Sequence, residues 1–81
     1  MNNIEQKNLK EIELNTCGSE CPIPVLKARK LCQTLLKGSI IKVIATDPLA
    51  EADFRHFCEQ AKYTFIDIRK KNKRLYIRFK I

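Results

Sequence analysis

Residues 39–46, SIIKVIAT, are rich in β-branched side chains and apolar on both faces of a period-two pattern, with Lys42 the exception. A strand of that composition needs cover on both sides, so it belongs inside a sheet. The flanking segments say what covers it. Over residues 22–36, Val25, Ala28, Cys32, Leu35 and Leu36 recur at helical spacing, Lys27, Lys30, Gln33 and Lys37 fall largely elsewhere, and Gly38 supplies a stop. After TDP ends the strand, Ala50, Phe54, Phe57, Cys58 and Ala61 form one stripe of a second helix over 50–61, starting between Pro48 and Asp53. EIELN ahead of the first helix alternates as a half-buried strand does, and YTFIDIR and LYIRFKI read as a hairpin around the polar turn KKNKR. In the last strand Leu75, Ile77, Phe79 and Ile81 point one way and Tyr76, Arg78 and Lys80 the other. The order β-α-β-α-β-β predicts a two-layer α/β sandwich, both helices on one face of a four-stranded mixed sheet with an antiparallel final pair.

A chain of 81 residues can build one small core. We expect a loose tail over 1–9 and a single domain over 10–81. No apolar run approaches the roughly 20 residues a membrane helix needs. The start MNNIEQKNLK lacks the apolar stretch of a secretion signal, so we expect a cytoplasmic protein away from membranes, and separately we expect a monomer. A formal charge of +7 favours acidic partners. The hairpin RKKNKRLYIRFK invites an RNA-binding reading, with Tyr76 or Phe79 stacking on bases. Alternation turns Phe79 inward and leaves a single aromatic, however, and charge on a strand edge also discourages sheet-to-sheet aggregation. No direct nucleic-acid binding is expected.

In a reducing compartment the four cysteines are free thiols, ligands or catalysts before they are a disulfide framework. Cys21 precedes Pro22, and proline suits the first turn of a helix, so Cys21 stands at or just before a helix N-cap. Backbone N–H groups and the helix dipole there favour a thiolate, below the free value of about 8.5. Cys32 and Cys58 belong to apolar stripes and read as small core residues. Cys32 lies roughly 16 Å along the helix from Cys21, too far for a disulfide. Cys17, across Gly18 from Cys21, is either an incidental loop thiol or an auxiliary one able to pair with Cys21. A zinc site from Cys17, Cys21, His56 and Cys58 fails on geometry, because His56 and Cys58 leave one helix in nearly opposite directions. No metal and no organic cofactor is expected.

CPIPVL, preceded by Gly18 and followed by TDP, Ala50, Asp53 and Cys58, resembles the TusA-like (SirA-like) sulfur-carrier family from about Leu14 to Ile81. The resemblance implies the same two-helix, four-stranded sandwich. It implies that the cysteine at the Cys21 position accepts sulfane sulfur as a persulfide, commonly from a cysteine desulfurase, and hands it on in transfer RNA thiolation, sulfur-cofactor synthesis or sulfur oxidation. Asn15 replaces a usual aspartate, Ser19 a common leucine, and Lys62-Tyr63 a frequent Gly-His pair. Glu20, beside Cys21, is expected to oppose ionisation of the thiol.

The expected function is therefore a sulfurtransferase-type carrier. Cys21 holds the sulfur, Gly18, Pro22 and Pro24 shape the loop and the start of the helix, and Lys27, Arg29 and Lys30 offer a docking face for a donor or an acceptor protein. Its rivals are a redox protein using a Cys17/Cys21 dithiol and a small basic binding module.

Overall fold

The computed structural model describes residues 11–81, so the tail expected over 1–9 lies outside the described residues. The elements are β1 (Glu11–Asn15), α1 (Ile23–Cys32), β2 (Ile40–Ala45), α2 (Ala50–Ala61), β3 (Thr64–Lys71) and β4 (Arg74–Lys80), in the expected order. The sheet runs β1-β2-β4-β3, with β1 parallel to β2 and the other pairs antiparallel. β2 is thus an inner strand, as expected, with Ile41, Val43 and Ala45 on the face under the helices.

Both helices cover the face carrying Ile41, Val43, Ile77 and Phe79, all fully buried. Phe54 of α2 is also fully buried, 5.9 Å from the Phe79 ring, and Phe57 meets Phe79 edge-on at the same separation. Truncating any of these rings to alanine costs on the order of 3–5 kcal/mol.

The expected helix over 22–36 ends four residues early, at Cys32. Thr34 is the cause. Its Oγ1 and its backbone N–H both donate to the Leu31 carbonyl, at 2.7 and 2.9 Å, and Leu35 N–H turns back to Cys32, so the chain tightens and leaves the helix. Leu36, read as part of the helical stripe, is consequently exposed. Gly38, with φ of +102°, serves the turn into β2 and does not terminate α1.

The hairpin is tighter than KKNKR suggests. Only Asn72 and Lys73 form the turn, both at positive φ, the geometry that matches the twist of paired strands. Strict alternation from Phe65 would have turned Asp67 into the core. A β-bulge between Phe65 and Asp67 skips Ile66, brings Asp67 opposite Arg78 and returns Ile68 to the buried face. Asp67 then accepts two hydrogen bonds from the Arg78 guanidinium, at 3.0 and 2.7 Å, which holds its carboxyl below the usual range.

Candidate functional site

Parallel pairing of β1 with β2 sends the loops that follow them, residues 16–22 and 46–49, to the same end of the sheet. The second loop holds the first. Thr16 is buried and donates through both its N–H and its Oγ1 to the Ile44 carbonyl, each at 2.7 Å. Gly18 N–H donates to Thr46 Oγ1 at 2.9 Å, and Cys21 N–H to Asp47 Oδ2 at 2.7 Å. Asp47 uses its other oxygen for Leu49 N–H at 2.9 Å, and these amide bonds keep it ionised to lower pH than an ordinary aspartate. Gly18 adopts φ of +85° with open space around it, so backbone conformation and not crowding calls for glycine there.

Cys21 stands exposed one residue before the N-cap of α1. The N-cap is Pro22, whose carbonyl accepts the first helical bond from Leu26 N–H at 3.2 Å, while Pro24 occupies the first turn and is buried. The two prolines therefore divide their work: Pro22 turns the chain at the surface, and Pro24 packs the start of the helix. Between the two loops lies an open depression of about 520 Å³ with Cys21 on its wall.

The electrostatics correct one expectation. The Cys21 thiol is pushed up, not down, first by the nearby Asp53 carboxylate, with partial desolvation and the charge of Asp47 adding to it. Full negative charges outweigh the roughly half charge of a helix N-terminus. Glu20, its sequence neighbour, is not among the groups that act on the thiol; the opposing carboxylate comes from the first turn of α2. Asp53 and Asp47 are the residues whose influence the spacing of the sequence did not show. Along the chain Asp47 marks the end of a strand, Asp53 the start of a helix, and both belong to the family pattern, but only tertiary packing brings them to the sulfur.

Cys17 is half-buried, its N–H on Asn15 Oδ1 at 2.9 Å, an anchor separate from that of Cys21. Cys32 and Cys58 are in the core, where burial pushes both thiols up to about 11. Among the described residues no three His, Cys, Asp or Glu side chains gather as a metal would need. The cations Lys27, Arg29 and Lys30 do not form one face. Lys27 reaches Ser19 Oγ at 3.4 Å, beside the site, whereas Arg29 lies over the Phe57 ring at 5.7 Å, toward α2. Arg29 and Lys30 occupy the last turn of α1, where cations complement the helix dipole. Among the described residues, no helix is long and apolar enough to cross a membrane.

Comparison with known proteins places the chain in a family and a fold. The family model described as sulfurtransferase TusA matches residues 12–81. A candidate sulfur carrier protein of Neisseria meningitidis serogroup A is 37% identical over 54 residues, covering 67% of this chain and 73% of that protein. The sulfur carrier protein TusA of Allochromatium vinosum is 42% identical over 48 residues, covering 59% of this chain and 63% of its own. The crystal structure of a SirA-like protein from Desulfitobacterium hafniense superposes with a TM-score of 0.77 at 23% identity, covering 85% of this chain and 95% of that one, and so shares the fold. With the family pattern matched from β1 to the final residue of β4 and beyond, and with relatives named for carrying sulfur, the chain belongs to the TusA family of sulfur carriers.

Proposed function

We propose that Cys21 is the sulfur-carrying residue, loaded by a cysteine desulfurase and unloaded onto an acceptor protein, in the cytoplasm, for transfer RNA thiolation or sulfur-cofactor synthesis. One observation carries the choice of residue: Cys21 alone among the four thiols is exposed, at a loop pinned by Asp47 and Thr46. The Cys21 thiolate attacks the outer sulfur of the donor persulfide. The S–S bond of the donor breaks, its cysteine leaves as a thiolate and takes up the proton that Cys21 lost, and Cys21 keeps the outer sulfur as Cys21–S–SH. An acceptor thiolate then attacks that outer sulfur and releases Cys21 unchanged. Sulfane sulfur is exchanged between thiols with no net oxidation, so neither metal nor organic cofactor enters the step.

Intact mass spectrometry tests this. After incubation with a cysteine desulfurase and cysteine, or with inorganic polysulfide, the reduced protein should gain one sulfur that a reductant removes. Cys21→Ser should abolish the gain and Cys17→Ser should leave it. Loss of two hydrogens under mild oxidation, dependent on both Cys17 and Cys21 and without sulfur loading from either donor, would instead favour the dithiol reading.

A further inference from the structure

Of the six residues Arg69–Arg74, five are cations, and all six are exposed. Topology decides where this basic tip lies. Leu75 pairs with Ala45 and Lys71 with Arg74, so the β3–β4 turn stands at the end of the sheet where β1 and β2 deliver the Cys21 loop and its Asp47 support. β4 is one strand spacing, about 4.8 Å, from β2. A direct contact joins the two regions: Lys70 Nζ lies 3.7 Å from Glu51 Oε1 in the first turn of α2, the turn that also carries Asp53. Lys71, Lys73 and Arg74 make no ion pair among the described residues. Protection of the β3 edge accounts for Arg69 and Lys71, but not for Lys73 in the turn or Arg74 on the inner strand β4.

A protein that brings its own sulfur to Cys21 through an interface of ordinary size, about 800 Å² a side, reaches roughly 16 Å from the centre of contact, and the tip stands at the same end of the sheet as Cys21. We propose that the β3–β4 tip is a docking arm for the protein that delivers sulfur to Cys21, and that it recognises an acidic patch on that protein; the proposal rests on the carrier reading above. Glu20 and Asp47 line the depression with Cys21, Asp53 acts on its thiol, and Glu51 in the same helical turn pairs with Lys70 of the tip. A continuous phosphate chain reaching Cys21 would have to cross those carboxylates. A folded protein can instead set an acidic patch on the tip and its sulfur-bearing residue at Cys21. Tyr76, the aromatic nearest the tip, is half-buried, so a platform of exposed rings for stacking bases is not provided there.

Two charge-reversed variants test the proposal. One carries Lys71→Glu, Lys73→Glu and Arg74→Glu at the tip. The other carries Lys37→Glu, Lys62→Glu and Lys80→Glu, the same change in net charge at the opposite end of the sheet. Matched circular dichroism and thermal melting establish that both fold. Loading by a cysteine desulfurase with cysteine at low salt should slow about tenfold or more in the tip variant and less than about threefold in the other, because local complementarity steers association more than net charge does. The gap should narrow as salt rises. Final loading by inorganic polysulfide should match wild type in both. Equal slowing in the two variants, or none at the tip, overturns the proposal. So does a tip variant that loses affinity for transfer RNA while desulfurase loading stays intact, which would give the surface to nucleic acid. Wild-type protein loaded by polysulfide but not by the desulfurase also overturns donor docking while the carrier reading stands. If neither reagent loads wild type, the carrier reading fails first and the docking arm with it.

Discussion

Cys21 and the pair Cys32 and Cys58 all hold their protons more tightly than a free thiol, for unlike reasons. Cys32 and Cys58 are raised chiefly by burial, a property of the whole core that no single neighbour controls. Cys21 is raised chiefly by one carboxylate, Asp53, on an exposed rim. A thiol held down by a neighbour can be released when that neighbour is displaced, whereas a thiol held down by burial is released only when the fold opens. Reactivity here therefore depends on access and local charge together, not on the direction of the pKa alone.

The sharpest way to break this contrast is alkylation. With iodoacetamide under native conditions, Cys21 should react faster than Cys32 or Cys58 by roughly 10³-fold or more, because labelling a buried thiol waits for a rare opening of the domain. Peptide mapping over time measures the ratio, and comparable rates would put the buried thiols at the surface.

Alkaline pH tests the burial side. The two core thiols sit near 11 when folded, whereas in the unfolded chain they ionise from about 8.5. The folded state thus keeps protons that the unfolded state releases. The stability so gained is complete below about pH 8.5 and disappears as pH climbs toward 11, on the order of 3 kcal/mol per thiol. Urea midpoints measured across that window should fall, and the fall should be shallower in Cys58→Ala. Parallel curves would mean that burial does not set that proton.

The rim side is tested by Asp53→Asn, which should move the pH–rate profile for alkylation of Cys21 to lower pH and speed labelling severalfold near neutrality. Glu20→Gln should leave the profile in place. A response to Glu20 and not to Asp53 would return the dominant charge to the sequence neighbour.

The smallest effect concerns the C-terminus of α2, next to Cys58. The Cys58 carbonyl accepts the N–H groups of Lys62 and Tyr63, and Lys62 closes α2 in the left-handed conformation with φ of +63°. Lys62→Gly removes the strain of a side chain there and should raise stability by about 0.5–1 kcal/mol. Labelling of Cys58 should slow in proportion while Cys21 is untouched. A destabilised variant would mean that the Lys62 side chain makes a contact worth more than the strain.

Periodicity carried most of the architecture, since burying SIIKVIAT and two one-sided helices in a chain this short leaves few arrangements. It failed where a local interaction competes with the pattern. Thr34 stopped α1 by bonding to Leu31, and the bulge at Ile66 changed which side of the sheet Asp67 faces. Nothing in hydrophobic alternation signals either event.

The sequence by itself determined the order of elements, the inner position of β2, the burial of Cys32 and Cys58, and the placement of Cys21 before a proline-started helix, because these follow from spacing along one stretch of chain. Tertiary structure decided the environment of Cys21. The loop from β2 brings Asp47 to its backbone amide, α2 brings Asp53 to its sulfur, and strand order brings the basic tip to the same end of the sheet. Each of these groups lies 26 or more residues from Cys21 along the chain, and electrostatic energy falls with distance in space, so sequence adjacency picked Glu20 while folding picked Asp53.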